Sequence, residues 1–211
     1  MRFRDRHDAG LQLATRLQAE ALVDPVVLAL PRGGVPVAVE IARAIGAPLD
    51  VLVVRKVGAP QHREFGIGAI AEGGITVRDE TAMRMVGVST DRFEQLAADE
   101  RRELERRVRL YRSERALPEL SDRDVVLVDD GLATGVTAEA AIHAVRGLGA
   151  RRVVLAAPVS AADTAARLSK IADVECLATP ARFSAVGEWY DDFGQTTDSE
   201  VLDLLRGAAD G

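Results

Sequence analysis

The sequence has a single cysteine, few aromatic residues, no long apolar run and no excess of positive charge, and these shortages exclude several classes of protein. Cys176 is the one cysteine in 211 residues, which excludes an internal disulfide framework and a cysteine-rich zinc module. No apolar stretch reaches the roughly 20 residues of a membrane-spanning helix, and none follows the charged N-terminal residues as in a secretory signal. The net charge of −6 disfavours binding to nucleic acid or to an anionic membrane. We therefore expect a soluble, cytoplasmic protein with neither of these partners.

The overall composition is that of an ordinary folded protein. Hydrophobic residues make up 47% of the chain and charged residues 28%, which argues against extensive disorder. A chain of 211 residues can also bury a sizeable core without disulfides or a structural metal. Because no repeat, low-complexity tract or linker divides it, we expect one domain over residues 1–211.

Short apolar runs rich in β-branched residues alternate with alanine-rich segments of helical period. The runs lack polar alternation, which is typical of strands buried on both faces of a parallel sheet. They occupy residues 26–30, 49–54, 125–128, 153–156 and 174–177, and the helical segments occupy 35–45, 137–148 and 161–171. This order predicts an α/β fold: a Rossmann-like, open and mainly parallel sheet flanked by helices.

Four segments fall outside this alternation. Residues 5–22 and 91–115 have amphipathic helical patterns, and the second of these is highly charged. Residues 57–77 are rich in glycine, with a possible hairpin turn at Gly73 and Gly74. The segment from Pro180 onwards collects several of the few aromatic residues.

The most informative stretch is residues 125–137, VVLVDDGLATGVT. A buried strand ends in Asp129 and Asp130, a short loop follows, and a helix begins; ligands of open α/β sheets bind at such strand ends. The small residues, the hydroxyls of Thr134 and Thr137 and the free N–H groups of a helix N-terminus suit a phosphate. The carboxylates instead suit sugar hydroxyls or a hydrated Mg²⁺. A ribose 5-phosphate would satisfy both the phosphate-binding loop and the two carboxylates. Either of these features alone could be an ordinary turn after a strand.

This stretch resembles the phosphoribosyl pyrophosphate (PRPP) signature of the type I phosphoribosyltransferases: an apolar strand, two acids, small residues and T-G-x-T. The resemblance implies that Asp129 and Asp130 contact the ribose hydroxyls, and through ribose or water a Mg²⁺ ion. It also implies that the following loop surrounds the 5-phosphate. The loop residues concerned are Ala133, Thr134, Gly135, Val136 and Thr137. Gly131 stands where the family usually has an apolar or threonine-like residue, a difference expected to loosen the loop.

The resemblance also implies an architecture and an activity. The family fold has a core, here at about residues 23–178, and a small hood, here from residues 1–22, 180–211 or both. The activity would be transfer of the 5-phosphoribosyl group from PRPP to a nitrogen acceptor such as a nucleobase, with release of pyrophosphate. Mg²⁺ would arrive with PRPP, and a homodimer is possible. The acceptor is not identified by the sequence, and no residue is assigned as a general base.

A second strand-to-helix junction, at residues 28–36, resembles the family's pyrophosphate loop. Arg32 supplies a cation that would act on the leaving group, Gly33 and Gly34 permit unusual backbone angles, and the helix start offers N–H groups. By the resemblance, a strained or cis peptide bond would lie at Arg32–Gly33 or near it. The alternative is an ordinary glycine turn with a surface arginine.

Basic residues also close the second predicted strand. Arg55 and Lys56 would contact the pyrophosphate from the same sheet edge, or Arg55 would pair with an acid and hold the loop. The following segment, residues 57–74, corresponds by order to the family's mobile catalytic loop, which excludes water. Glu72 is either a buried acid near the site or a structural residue.

Other functional interpretations have less support. Residues 66–71 match G-x-G-x-x-A but do not lie between a strand and a helix, so they do not indicate dinucleotide binding. His7 and His143 lack partners at zinc-ligand spacing. A non-catalytic regulator that senses PRPP or a nucleotide remains the alternative to the transferase. Trp189 and Tyr190 either stack on the acceptor base or anchor the tail.

Overall fold

The structure is a computed structural model that describes residues 1–113 and 115–209. Its strands are β1 (Val26–Ala29), β2 (Leu49–Val51), β3 (Val54–Ala59), β4 (His62–Ala71), β5 (Thr76–Arg78), β6 (Asp124–Val128), β7 (Arg152–Val159) and β8 (Asp173–Ala178). Its α-helices are α1 (Arg6–Leu17), α2 (Gly34–Ile45), α3 (Glu80–Met85), α4 (Thr90–Arg112), α5 (Val136–Gly147), α6 (Ala162–Leu168) and α7 (Asp198–Ala209). Short 3-10 helices occupy Glu72–Gly74 and Val186–Trp189.

Five parallel strands form the central sheet, in the order β2-β1-β6-β7-β8. Every residue of β1 and β6 is buried, because helices cover both faces. Val27 and Val126 pack with α1, α2, α4 and α7 on one face, whereas Leu28 and Leu127 pack with α5 on the other. The predicted α/β fold with a mainly parallel sheet is confirmed.

The second predicted strand, residues 49–54, is divided in the structure. The parallel strand β2 ends at Val51, and β3 begins at Val54 in a separate antiparallel sheet of order β3-β4-β5. The break occurs because the N–H of Val53 donates to the buried carboxylate of Glu72 at 2.7 Å instead of to a neighbouring strand. The expectation that Arg55 and Lys56 close a strand of the parallel sheet was therefore wrong: both lie within β3.

The glycine-rich segment forms this antiparallel sheet rather than an irregular loop. Gly73 and Gly74 both have positive φ, +76° and +77°, in the turn between β4 and β5, and the hairpin predicted there is present. Residues 66–71 lie inside β4, which agrees with rejecting them as a dinucleotide-binding motif.

Local sequence signals set the ends of the helices that matter for the site. The Asp5 carboxylate accepts the Asp8 N–H at 2.7 Å and begins α1, which ends at Leu17, earlier than the predicted 22. Gly46 ends α2 with φ +65°. Within residues 1–113 and 115–209, no helix combines the length and apolar character needed to cross a membrane.

Candidate functional site

The candidate site lies where the connections of the sheet change direction. Strands β1 and β6 are neighbours, but β1 leads through α2 to β2 on one side and β6 leads through α5 to β7 on the other. In folds of this kind a crevice forms where two such chain segments diverge beyond the carboxyl ends of neighbouring strands, here β1 and β6. Ligands of open α/β folds bind at such a switch point.

The N-terminus of α5 provides unused hydrogen-bond donors at this crevice. Gly135 precedes the helix with φ +70°, and no side chain caps it. In the part of the chain that the structure describes, no recorded hydrogen bond uses the N–H groups of residues 133–137. Such donors, at the positive end of the helix dipole, are suited to an anion.

The N-terminus of α2 differs from the predicted arrangement. It too lacks a side-chain cap, but the N–H groups of Gly34 and Val35 donate to the carbonyl oxygens of Leu30 and Arg32, each at 3.1 Å. These two N–H groups are therefore not available to an anion, and the first turn of α2 would act on one mainly through the helix dipole. The bond between Pro31 and Arg32 is cis, so the cis peptide predicted at or near Arg32–Gly33 is present at the adjacent bond.

Gly33 and Gly34 are required for close packing and not for unusual backbone angles. Gly33 has the ordinary helical values φ −61° and ψ −31°. A Cβ atom on Gly33 would lie 2.0 Å from Oδ2 of Asp130, and one on Gly34 would lie 2.4 Å from the carbonyl oxygen of Val128. The interpretation of these glycines by backbone freedom was wrong, because what they allow is contact between the two loops.

Asp129 and Asp130 lie between the two loops and are partly buried. The N–H of Asp130 donates to Oδ1 of Asp129 at 2.9 Å. Burial raises the pKa of both carboxyls, and the neighbouring Asp130 charge raises the pKa of Asp129 further. This pair is stabilised in its charged form by a cation or by hydroxyl donors.

Arg6 is a contact of this pair that the sequence did not reveal. Its Nε and Nη2 both lie 2.8 Å from Oδ2 of Asp130, and its Nη1 donates to the carbonyl oxygen of Gly194 at 2.7 Å. Its guanidinium stacks on Phe193 at 3.9 Å from the ring centroid. Arg6 opposes the effect of burial on the pKa of Asp130. An arginine at the start of an amphipathic helix gives no signal of a partner 124 residues away.

Tyr190 anchors the tail to the loop. It is 2% exposed, packs on Phe3 with 5.5 Å between ring centroids, and donates its hydroxyl to the carbonyl oxygen of Asp130 at 2.6 Å. The N–H of Phe3 also donates to the carbonyl oxygen of Trp189 at 2.8 Å. Of the two interpretations of Tyr190, the anchor fits and the base-stacking platform does not, since both faces are covered by protein.

Gly131 does not loosen the loop. A Cβ atom there would lie 2.4 Å from Cγ1 of Val186, so the tail packs directly on this position. A larger residue would push the tail away from the strand end.

The three predicted cations have different surroundings. Arg32 lies near the start of α7, with Nη1 3.9 Å from Oδ1 of Asp198. Arg55 makes two contacts with Glu100 of α4, at 2.9 and 2.7 Å, which is the alternative that the sequence left open. Lys56 lines a cavity of about 600 Å³ together with Thr134 and Val136, and so faces the start of α5.

The remaining candidates are structural. Glu72 is buried, accepts the Val53 N–H and forms an ion pair with Arg112. His7 pairs with Glu40 at 3.1 Å. Within the described residues, no group of three or more His, Cys, Asp or Glu side chains could hold a metal ion.

Comparison with known families agrees with this geometry. The family model described as "Phosphoribosyl transferase domain" matches residues 5–187. The chain belongs to the phosphoribosyl transferase family. The match covers the PRPP signature, so the resemblance noted in the sequence is confirmed.

Individual relatives of this phosphoribosyl transferase domain support the assignment. The Mycobacterium tuberculosis (strain H37Rv) protein named "Putative phosphoribosyl transferase Rv0571c" is 48% identical over 204 residues, which is 96% of this chain and 46% of that protein. The chain thus spans about half the length of this curated relative.

Solved structures show the same fold. The crystal structure of TT1426 from Thermus thermophilus has a TM-score of 0.85 and 48% identity, covering 97% of this chain and 98% of that one. A hypothetical protein from Neisseria gonorrhoeae with bound ppGpp has a TM-score of 0.51 and 14% identity, covering 98% of both chains. The second similarity concerns the fold alone.

Proposed function

We propose that this protein transfers the 5-phosphoribosyl group from PRPP to a nitrogen acceptor of the nucleobase class and releases pyrophosphate. The observation that carries the proposal is the carboxylate pair, Asp129 and Asp130, at the end of β6 and one short loop before the uncapped N-terminus of α5. A ribose 5-phosphate needs both features, because its hydroxyls donate to carboxylates and its phosphate accepts from N–H groups.

Each loop takes one part of the donor. Residues 133–137 surround the 5-phosphate, with the hydroxyls of Thr134 and Thr137 beside the helix N–H groups. The turn formed by Arg32, Gly33 and Gly34 takes the pyrophosphate. Lys56 approaches from β3, across the cavity that it shares with Thr134. Arg55 is left out of this proposal because its guanidinium is held by Glu100.

The carboxylate pair fits a magnesium ion that is brought by the substrate. Two adjacent carboxylates whose pKa values are raised by burial favour a nearby cation. The described residues provide too few ligands for an all-protein cage, which agrees with an ion held mainly by PRPP oxygens and water. When bound, Mg²⁺ would neutralise negative charge on the pyrophosphate group, and Asp129 and Asp130 would help to hold it, directly or through water.

In the transfer, the bond between ribose C1 and the pyrophosphate oxygen breaks, and the nitrogen lone pair of the acceptor forms the new bond to C1. The proton of the acceptor nitrogen is released to solvent, and no residue is assigned to accept it. The electron pair of the broken bond leaves with pyrophosphate, where Arg32 and Lys56 stabilise the growing negative charge. Within residues 57–74, the exposed turn between β3 and β4 serves as the lid that excludes water. The hood consists of both termini, since Phe3 and Tyr190 pair over the strand end.

The contact of Arg6 with Asp130 favours a second candidate, a non-catalytic sensor of PRPP or of a nucleotide. Arg6 occupies Oδ2 of one ribose-binding carboxylate and ties it to the tail through Gly194. Ligand binding would then compete with this contact and change the position of the termini, without any transfer.

One experiment tests the proposal and separates the two candidates. PRPP binding is measured by calorimetry with Mg²⁺, and pyrophosphate release is followed with a panel of purine and pyrimidine bases. A transferase binds PRPP and releases pyrophosphate with at least one base, whereas a sensor binds PRPP and releases none. Absence of PRPP binding at millimolar concentration would rule out both.

Arg32→Ala is expected to lower kcat by about 10- to 100-fold while changing the Kd for PRPP much less, since a charge-assisted contact contributes about 1.5–3 kcal/mol. The contact strengthens as negative charge develops on the leaving pyrophosphate. Steady-state kinetics and calorimetry on the same variant measure the two effects. The control is Arg206→Ala, an exposed arginine near the end of α7. Unchanged kcat in a folded Arg32 variant would exclude this loop as the pyrophosphate site.

A further inference from the structure

Helix α6 and the residue before it hold three successive carbonyl groups of the loop between β6 and α5. The N–H of Ala161 donates to the carbonyl oxygen of Leu132 at 2.9 Å. The hydroxyl of Thr164 donates to the carbonyl oxygen of Ala133 at 2.6 Å. Nη2 of Arg167 donates to the carbonyl oxygen of Thr134 at 2.6 Å. One side of the loop is therefore fixed, residue by residue, by a neighbouring element.

These contacts determine where the N–H groups of the loop point. In a trans peptide the C=O and the following N–H point in opposite directions, and the peptide bonds of this loop are trans. The N–H groups of Ala133, Thr134 and Gly135 therefore face away from α6. None of the three donates a recorded hydrogen bond within the described residues. They form a preset row of donors at the start of α5.

The side chains that hold the loop are well placed to be rigid. Thr164 is buried, and a Cβ atom on Gly135 would lie 2.6 Å from its Cγ2, so α6 packs directly on the loop. Arg167, which is 43% exposed, is also paired with Glu139 of α5 and so lies between the two helices. Neither residue carried any functional signal in the sequence.

We propose that Thr164 and Arg167 are positioning residues for the 5-phosphate: they hold the carbonyl groups of Ala133 and Thr134 so that the opposite N–H groups meet the phosphate. This inference rests on the proposed function, because it assumes that the loop binds a phosphate monoester. Arg167 acts through the carbonyl of Thr134 and not as a phosphate ligand. Without these donors the two peptides rotate more freely, and their ordering becomes a cost of binding.

The test measures the affinity of the whole protein for two separate probes, ribose 5-phosphate and inorganic pyrophosphate. Thr164→Val and Arg167→Leu are each expected to weaken ribose 5-phosphate binding by about 5- to 10-fold, the effect of losing about 1 kcal/mol of preorganisation. Pyrophosphate binding should stay unchanged, because it occupies the other loop. Thr164→Ser retains the hydroxyl and should bind ribose 5-phosphate as tightly as the original protein. If Thr164 acted only through packing of its methyl group, the serine variant would also bind more weakly.

Controls separate positioning from charge and from misfolding. Lys170→Ala removes an exposed positive charge just beyond the same helix and should bind ribose 5-phosphate like the original protein. Thr164→Val changes no charge, so its effect cannot come from attraction between a cation and phosphate. If Thr164→Val fails to fold, the partly exposed Arg167 carries the test.

The outcomes distinguish this inference from the proposed function. If the unmodified protein binds ribose 5-phosphate and both variants bind it equally well, the positioning role is wrong and the proposed function stands. Equal weakening of both probes would show a general loss of structure and also overturn the inference. If the unmodified protein binds neither PRPP nor ribose 5-phosphate, both proposals fail together.

Discussion

Replacing both Asp129 and Asp130 by asparagine is expected to reduce kcat/KM for PRPP by at least about 10²-fold, because each hydrogen bond to a charged group contributes about 1.5–3 kcal/mol. The amides keep the shape of the strand end but lose the negative charge that ribose hydroxyls and a hydrated Mg²⁺ require. Steady-state kinetics and PRPP calorimetry measure the loss. Asp99→Asn, an exposed acid on α4, is the matched control. Unchanged PRPP affinity and turnover in the folded double variant would refute the assignment.

Although loss of these carboxylates is expected to lower activity, the single substitution Asp129→Asn is expected to raise the stability of the fold. Burial and the Asp130 charge raise the pKa of Asp129, so the native state binds its proton more tightly than the unfolded state does. The contribution of Asp129 to the free energy of unfolding therefore falls as pH rises from about 3.9, the unfolded value, through the raised native pKa. Asparagine removes this cost.

Thermal unfolding across pH measures this difference. The Tm of Asp129→Asn should exceed that of the original protein at pH 8, and the two should converge in acid below the unfolded pKa. Asp130 is less suitable for this measurement, since its removal also leaves Arg6 without its carboxylate partner. A lower Tm of Asp129→Asn at pH 8 would show that its charge stabilises the fold.

The second large effect is expected at the buried ion pair between Arg112 and Glu72. Their side chains are 2% and 9% exposed, and each also bonds to the backbone beside β2: Arg112 to the carbonyl oxygen of Val51 at 3.2 Å, and Glu72 to the Val53 N–H at 2.7 Å. Removing one partner of a buried pair costs about 3–5 kcal/mol. Arg112→Met is therefore expected to lower Tm by about 10 °C.

A double variant identifies the cause of this loss. Arg112→Met combined with Glu72→Gln removes the uncompensated Glu72 carboxylate and keeps an acceptor for the Val53 N–H, so part of the lost Tm should return. The rest stays lost, because the buried carboxylate of Asp50 also loses the nearby Arg112 charge. Arg102→Ala, which breaks an exposed pair on the same helix, should change stability by less than about 1 kcal/mol. If the double variant is no more stable than Arg112→Met, the loss does not come from the unpaired Glu72 charge, and packing of the arginine or its charge beside Asp50 accounts for it.

Local features of this protein could be predicted from the sequence because they depend on neighbouring residues. Unbroken apolar runs identify the buried parallel strands, and the glycines after helical segments identify ends such as Gly46. The sequence places Asp129 and Asp130 at the end of a buried strand and one short loop before a helix, which is enough to indicate a phosphate and sugar site at the sheet edge.

The fold class and the position of the candidate site follow from local sequence patterns, whereas the groups that complete the site come from distant parts of the chain. Arg6 reaches Asp130 across 124 residues, Arg167 reaches Thr134 across 33, and Glu72 ends β2 by accepting the Val53 N–H. Gly33 is explained by the approach of Asp130 and not by its own backbone angles. Periodicity and turn chemistry act within a few residues, but such contacts depend on where the folded chain brings distant segments together.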